Sequence, residues 1–314
     1  MKKYLLCLLA LMMFILPTAA GAEDSATAAP TATEEPTVSY DGLTVPVSSV
    51  TVDFDEAKIK PTDIAKLEKF IEQLPQLELL NMYNTRLTNA QMDELATKFP
   101  TLKFGWTLKI GDHAVRTDTT AFSTLHNKSS KYHTAKDFAP LKYCWNIKAL
   151  DIGHNNISDL SFLSGLTELR ILIIACDYIK DISPVANLTK LEYLEIFKNQ
   201  ITDISPLEGL TNLIDLNICF NRIKDYTPLY GLTNLERLWL YNSNTYTDSI
   251  PVPSDVIAKL KESLPDTYID SKSYSTLGGW REHKRYFVLK EIFATSTFMP
   301  WDALDNADEQ TVSK

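Results

Sequence analysis

Histidine and cysteine are the residues of this 314-residue sequence that could most directly bind a metal ion or act as nucleophiles. The histidines are His113, His126, His133, His154 and His283, and the cysteines are Cys7, Cys144, Cys176 and Cys219. No two histidines have the i, i+4 spacing with which a helix presents two zinc ligands on one face. We therefore predict no metal ligands and no cofactor.

Motifs for catalysis are also absent from the sequence. It contains no glycine-rich phosphate loop, no Gly-x-Ser-x-Gly elbow and no Cys/His pair in a context that would activate a nucleophile. Catalytic residues need not be neighbours in sequence, so a hydrolase with an unrecognised site in residues 111–135 or near the C-terminus stays an alternative. The prediction is a protein that is not an enzyme and has no catalytic residues.

A repeat of 22 residues organises the middle of the chain. With Leu191 as position 1, apolar residues return at positions 4 and 6 in five successive copies. They are Leu150, Leu172, Leu194, Leu216 and Leu238 at position 4, and Ile152, Ile174, Ile196, Ile218 and Leu240 at position 6. Residues two apart in an extended segment face the same way, so each copy contributes a strand with one buried side. One copy cannot bury its apolar side alone, which predicts a stacked solenoid with a parallel sheet along its inner curve.

The residues that follow each strand predict a tight turn. Position 9 holds Asn155, Asn199 and Asn221, whose amides can satisfy backbone groups, whereas Asp177 interrupts this row. Pairs such as Ser183-Pro184 predict an N-cap followed by the first residue of a short helix or 3₁₀ turn on the outer curve.

The L-x-x-L-x-L-x-x-N spacing is that of leucine-rich repeats. Each complete copy continues into an apolar residue at position 11, Asp at position 13 and usually Ser/Thr-Pro at positions 15 and 16. In this it resembles the internalin type of bacterial leucine-rich repeat over residues 133–242. The resemblance implies a secreted or surface protein that binds a partner on a concave sheet, without catalytic residues.

The N-terminal residues predict export. Residues 1–22 have the charged, apolar and small-residue regions of a signal peptide, and the apolar run is too short to span a membrane. Residues 23–46 are predicted to be a disordered linker, since Ala, Thr, Pro and Glu dominate their first half. We expect a secreted protein, with non-covalent association with the cell surface as the alternative, because we find no anchoring motif.

The predicted fold class is an α/β solenoid with a parallel concave β-sheet, helical N-terminal repeats and a helical C-terminal cap. Residues 47–132 are predicted to form N-terminal helical repeats and a hairpin, and residues 133–245 to form the internalin-like repeats. After Leu240 the repeat fails, so residues 246–301 are predicted to be a C-terminal cap with two amphipathic helices, and residues 302–314 a flexible tail.

The net charge indicates which partners to expect, and the cysteine spacing indicates whether disulfides form. Loss of Lys2 and Lys3 with the signal would move the net charge from −9 to about −11, so nucleic acid is not an expected partner. Cys176 and Cys219 lie two repeats apart, about 10 Å, which is too far for a disulfide, and we predict that Cys144, Cys176 and Cys219 are free. We expect a monomer that binds a protein ligand of unknown identity.

The predicted ligand-binding surface consists of apolar residues at the open positions of adjacent repeats. They are Ile171, Ile173, Tyr193, Phe197, Phe220, Trp239 and Tyr241, with Glu192, Glu195, Asp215 and Glu236 at the rim. A contiguous exposed patch of this kind is typical of a partner site. Position 5, including Glu195 and Asn217, is predicted to be open and tolerant of Ala. Two alternatives remain: the C-terminal cap could fold over this face, or the protein could have a purely structural role in the cell envelope.

Overall fold

The computed structural model describes residues 35–125, 132–243, 250–273 and 279–305. The predicted signal peptide and the end of the predicted tail lie outside these residues. The strands are β1 (Thr37–Tyr40), β2 (Leu43–Pro46), β3 (Thr51–Asp53), β4 (Leu79–Asn81), β5 (Lys103–Gly105), β6 (Thr107–Ile110), β7 (His113–Arg116), β8 (Ala121–Ser123), β9 (Ala149–Asp151), β10 (Ile171–Ile173), β11 (Tyr193–Glu195), β12 (Asp215–Asn217), β13 (Arg237–Trp239) and β14 (Tyr268–Asp270). The α-helices are α1 (Ile64–Ile71), α2 (Asn89–Lys98), α3 (Ala135–Phe138), α4 (Ser254–Ser263) and α5 (Lys284–Thr295).

A seven-stranded sheet runs in the order β14-β13-β12-β11-β10-β9-β8, and every neighbouring pair in it is parallel. Leu172 pairs with Leu194, and Leu194 pairs with Leu216, so successive copies stack without a shift. This register is the one that a 22-residue period requires. The predicted leucine-rich repeat solenoid is confirmed.

The core of the solenoid lies beneath this sheet. Leu194 and Leu216 at position 4 and Ile196 at position 6 are fully buried, as are the apolar residues of the outer turns, such as Leu207. Hydrophobic burial of this kind in every copy is the main stabilising contribution to a repeat stack. The predicted buried positions are therefore confirmed.

Short 3₁₀ turns line the outer side of the repeats, at Ser161–Leu163, Ser183–Val185, Ser205–Leu207 and Thr227–Leu229. The prediction that the Ser or Thr side chain caps each turn is wrong, because none of them makes a capping hydrogen bond. The Asp two residues earlier takes this role: Asp181 Oδ1 accepts from the Ser183 amide at 2.8 Å, and Asp203 Oδ1 accepts from the Ser205 amide at 2.8 Å. An Asp at position 13 thus stabilises the turn.

The asparagine row connects adjacent copies. The Asn199 amide donates to the carbonyls of Ile174 and Ile196, and its Oδ1 accepts from the Ile179 amide. Asn221 makes the equivalent contacts one repeat further on. Each side chain satisfies buried backbone groups in two copies, as predicted.

Asp177 replaces one asparagine of this row and makes only half of these contacts. Its Oδ1 accepts from the amides of Asn155 and Ile157, whereas its buried Oδ2 has no hydrogen-bond partner among the described residues. Burial raises the pKa of Asp177 to about 7 despite these two amide donors.

Replacement of Asp177 by Asn is expected to stabilise the fold by about 1–2 kcal/mol at pH 8, because Asn restores the missing donor without a buried charge. The folded pKa exceeds the unfolded value of 3.8, so the wild type loses stability as pH rises from about 4 to about 7. The gain should therefore vanish near pH 4 in urea titrations. The converse variant Asn199→Asp should lose stability over the same pH range, and an Asp177→Asn gain that is independent of pH would contradict this account.

The N-terminal part of the chain has a separate three-stranded parallel sheet, β3-β4-β5. Helix α2 begins with a capping box, in which the Thr88 amide donates to Gln91 Oε1 and the Gln91 amide donates to Thr88 Oγ1. Strands β6 and β7 form the predicted antiparallel hairpin around residues 111–112.

The prediction of disorder across residues 23–46 is wrong for its second half, because β1 and β2 form an antiparallel hairpin. Asp41 and Gly42 supply the two positive φ angles of its turn, at 46° and 91°. Tyr40 is buried and stacks on Phe54 at a centroid distance of 5.0 Å. This aromatic contact connects the hairpin to the folded domain.

The expectation that the solenoid ends after Leu240 is also wrong. Asn242 lies one residue before the expected position, yet its Oδ1 accepts from the Ile223 amide and its amide donates to the Ile223 carbonyl. Helix α4 then leads to β14, which adds a further parallel strand beside β13. Residues 250–273 therefore continue the sheet.

Cys144, Cys176 and Cys219 are free, as predicted. Burial raises the pKa of the Cys144 thiol to about 12 and that of Cys176 to about 11, so both stay protonated near neutral pH. None of the helices in the described residues combines the length and apolarity that a bilayer-spanning segment needs.

Candidate functional site: the concave sheet and its C-terminal cover

The inner face of the seven-stranded sheet contains the predicted binding residues. In each three-residue strand the middle side chain belongs to the solenoid core, whereas the flanking side chains face the other way. Leu172 and Leu194 lie in the core, while Ile171 and Tyr193 belong to a second apolar cluster on the inner face. The predicted assignment of residues to the two faces is correct for these strands.

Residues 279–305, which we name the C-terminal arm, lie across this inner face. Trp280 is fully buried, with ring centroids 5.5 Å from Tyr193 and 5.6 Å from Trp239. Gly279 has a φ of 53°, and a Cβ there would lie only 3.0 Å from Trp239 Cζ2, so the backbone approaches this ring closely. Helix α5 contributes the apolar residues Val288, Leu289, Ile292 and Phe293 to the same cluster.

The arm continues to the far end of the sheet and returns along its rim. After α5, the Phe298 amide donates to Thr120 Oγ1 at 2.9 Å, next to β8. Trp301 Nε1 then donates to Glu192 Oε2 at 2.7 Å. The arm therefore contacts the sheet at both ends of α5.

The expectation of an open concave patch is wrong for four of its seven residues. Ile171, Tyr193, Phe220 and Trp239 are buried, because the apolar side of the arm packs against this face. The alternative in which the C-terminal region covers the face describes the structure better. The predicted tolerance of position 5 is also corrected, since Glu195 and Asn217 are buried.

A buried group of ionised side chains holds the arm in position. Asp215 is completely buried and accepts two hydrogen bonds from Arg237 on the neighbouring strand, at 2.7 and 2.8 Å. Arg285 of α5 donates two hydrogen bonds to the same Asp215 carboxylate, at 2.6 and 2.8 Å. It donates a third hydrogen bond to Glu236 Oε2 at 2.6 Å. Such paired N–H···O contacts fix both position and orientation, so Arg285 sets where α5 lies on the sheet.

Two further carboxyl groups are buried at position 5. Glu195 accepts from Trp280 Nε1 and from the Tyr193 hydroxyl, both at 3.0 Å, and burial raises its pKa despite these donors. Burial also raises the pKa of Asp151 to about 7. A raised carboxyl pKa is common in catalytic sites, but both groups lie beneath the arm and are closed to a substrate in this conformation.

The remaining predicted residues are Ile173, Phe197 and Tyr241, which are only partly buried. Phe197 and Tyr241 flank Phe220, and each ring centroid lies 5.2 Å from that of Phe220. We name Phe197, Phe220 and Tyr241 the aromatic row. It follows the carboxyl ends of β11, β12 and β13, and its two outer rings keep part of their surface in solvent.

Comparison with known proteins agrees with the repeat geometry. Residues 145–187, 189–229 and 211–254 match the family model described as "Leucine Rich repeats (2 copies)". With the parallel sheet and the asparagine row, this match shows that residues 145–254 carry leucine-rich repeats. Its 22-residue repeat resembles the internalin type. No curated protein matches the sequence at a significant level.

Solved structures with some similarity include two internalins of Listeria monocytogenes. Internalin C2 is 26% identical over 58% of this chain and 84% of its own, with a TM-score of 0.33. Internalin F is 24% identical over 70% of this chain and 68% of its own, with a TM-score of 0.33. The functional domain of InlJ from the same organism is 18% identical over 72% of this chain and 44% of its own, with a TM-score of 0.39.

Proposed function

We propose that the protein is a secreted leucine-rich repeat module that binds a protein ligand, and that the ligand contacts the aromatic row. The observation that carries this proposal is the position of Phe197 and Tyr241. They are the largest side chains of the predicted patch that the C-terminal arm leaves partly exposed. Partly exposed aromatic rings held by their neighbours make effective interface residues, because they bury a large area with few rotatable bonds.

The arm restricts the ligand to the carboxyl edge of the sheet. Burial of Tyr193 and Trp239 removes the centre of the concave face from solvent, so a ligand that reaches the aromatic row approaches from the side of the turns that follow the strands. Lys198 and Arg222 lie in these turns. This arrangement favours a ligand with an apolar side chain at its centre and acidic groups around it.

Photocrosslinking can capture a ligand whose identity is unknown. A benzophenone amino acid at position 197 or 241 of the secreted protein should link to one partner from intact cells or their surface extract. The matched control is position 178, because Tyr178 is exposed but lies outside the aromatic row. Capture of the same proteins from all three positions would show non-specific contact and contradict the proposal.

With the captured ligand in hand, Phe197→Ala and Tyr241→Ala are each expected to weaken binding about 10–30-fold, as loss of an aromatic interface residue does. Tyr178→Ala should bind normally. Thermal unfolding of each variant, measured in parallel, separates loss of binding from loss of fold. Unchanged affinity in both row variants would place the binding site elsewhere.

A further inference from the structure

Three side chains that the repeat pattern does not explain converge beside the β6–β7 hairpin. Asp112 lies in its turn, His113 begins β7, and His133 belongs to the segment that precedes α3. Asp112 Oδ1 lies 3.4 Å from His113 Nε2 and 3.7 Å from His133 Nε2. One ligand atom from each of the three residues lies within 4.8 Å of the other two.

These separations fit a small divalent cation. Zinc binds imidazole nitrogen and carboxylate oxygen at about 2.0–2.2 Å, so two tetrahedral ligands lie about 3.3–3.6 Å apart. Two of the three separations are within a few tenths of an ångström of this range. The third separation joins the two imidazoles and is at most 4.8 Å, so zinc binding would draw the buried His113 and His133 rings slightly together.

His133 provides a second and independent observation. It is 4% exposed, and its Nε2 atom has no hydrogen-bond partner among the described residues. An unsatisfied buried imidazole nitrogen is costly, and its lone pair or proton needs a partner. The His133 Nε2 atom faces Asp112 Oδ1, the carboxylate oxygen that His113 Nε2 also approaches.

The surrounding chain holds His133 in place. The His133 backbone amide donates to Asn155 Oδ1 at 2.8 Å, and its carbonyl accepts from the Asn156 amide at 2.9 Å. Its ring lies directly over Gly111, where a Cβ would be 2.2 Å from His133 Cε1, so only glycine fits. Such fixed positions reduce the reorganisation that metal binding requires.

Aromatic neighbours and burial complete the environment. Phe122 packs edge-on against His113 at 5.5 Å, and Phe138 packs against His133 at 5.8 Å. Both histidines are buried as well.

We propose that Asp112, His113 and His133 form a Zn²⁺ site with a water molecule as its fourth ligand. Two nitrogens and one carboxylate oxygen suit zinc, and three protein ligands leave one coordination position open. Asp112 is exposed, so this position faces solvent. The ion links the β6–β7 hairpin to the segment that enters the repeats.

The test is titration of the chelator-treated full-length secreted protein with Zn²⁺ by calorimetry, and with Co²⁺ by visible absorption. We expect one ion per chain, with micromolar or tighter affinity for zinc and the intense absorption bands of tetrahedral cobalt. His133→Gln and Asp112→Asn should each weaken binding by about 100-fold or more. His154→Asn is the matched control, because this exposed histidine lies outside the cluster and Asn tolerates its φ of 60°.

The variants also separate coordination from folding. Asp112→Asn changes an exposed side chain, so its circular dichroism and metal-free melting temperature should equal those of the parent protein. Zinc should raise the melting temperature of the parent in a concentration-dependent manner and leave that of the variant unchanged. Binding of less than one ion per chain, octahedral cobalt spectra, or equal affinities in the parent, His133→Gln and Asp112→Asn would each overturn the proposal.

Discussion

Replacement of Asp215 by Asn is expected to lower the free energy of unfolding by about 3–5 kcal/mol. Asn has nearly the same shape as Asp, so the main change is the loss of a charge that neutralises two buried guanidinium groups. Arg237 and Arg285 would both stay buried, and each directs two N–H donors at the side chain of residue 215. An asparagine side chain has only one acceptor oxygen, whereas the Asp215 carboxylate has two. Removal of one partner from a buried charge group costs far more than removal of a pair on the surface.

Urea titration of the protein measures this effect. The matched control is Glu192→Gln, because Glu192 also pairs with an arginine of the preceding repeat, but in a partly exposed position. That variant should lose at most about 1 kcal/mol. If Asp215→Asn costs no more than the control, the group of Asp215, Arg237 and Arg285 does not hold the arm as the hydrogen bonds suggest.

The period of the repeats made the central sheet predictable, because each copy satisfies the same local rules. An apolar residue at position 4 has to be buried, and a 22-residue spacing brings Leu194 beside Leu172 and Leu216 with no other information. The β1–β2 hairpin could have been predicted as well. Asp41-Gly42 between alternating residues is a strong hairpin signal, but the polar composition of the preceding residues concealed it.

The packing of the C-terminal arm over the concave face could not be predicted from the repeat period. The pattern shows which way Tyr193 faces, but an apolar side chain on the inner face is equally consistent with an external ligand and with a distant part of the same chain. Trp280, which contacts Tyr193 and donates to Glu195, is 85 residues away from Glu195 in sequence. A signal was nevertheless present, since Asp215 and Arg237 place charges at position 3, where neighbouring copies have apolar residues.

The cluster of Asp112, His113 and His133 shows a related limit. Its two histidines are 20 residues apart and belong to a hairpin and to the segment that precedes a helix, so no local spacing rule applies to them. Tertiary packing brings them together, with the His133 ring close to Gly111 and the His133 backbone bonded to Asn155 and Asn156. Helical spacing rules find zinc ligands on one helix, and this cluster is assembled by tertiary packing.

Replacement of Trp280 by Ala is expected to destabilise the protein by about 3–5 kcal/mol, as is usual for a large side chain lost from a core. The indole is fully buried between Tyr193 and Trp239, and it lies under the Arg237 guanidinium at 4.4 Å from its centroid. Its Nε1–H also donates to the buried Glu195 carboxyl group. The variant would leave a cavity where the arm meets the sheet and remove one of the two donors to Glu195.

Trp280→Phe separates these two contributions. It keeps most of the aromatic packing but removes the indole donor, so it should cost about 1–3 kcal/mol. Hydrogen exchange should show where the loss occurs: in Trp280→Ala, we expect the amides of α5 to exchange faster, while those of β10, β11 and β12 keep their protection because the solenoid core is intact. Equal acceleration in α5 and in these strands would mean that the arm is an inseparable part of the core. Unchanged exchange in α5 would mean that Trp280 does not hold the arm on the concave face.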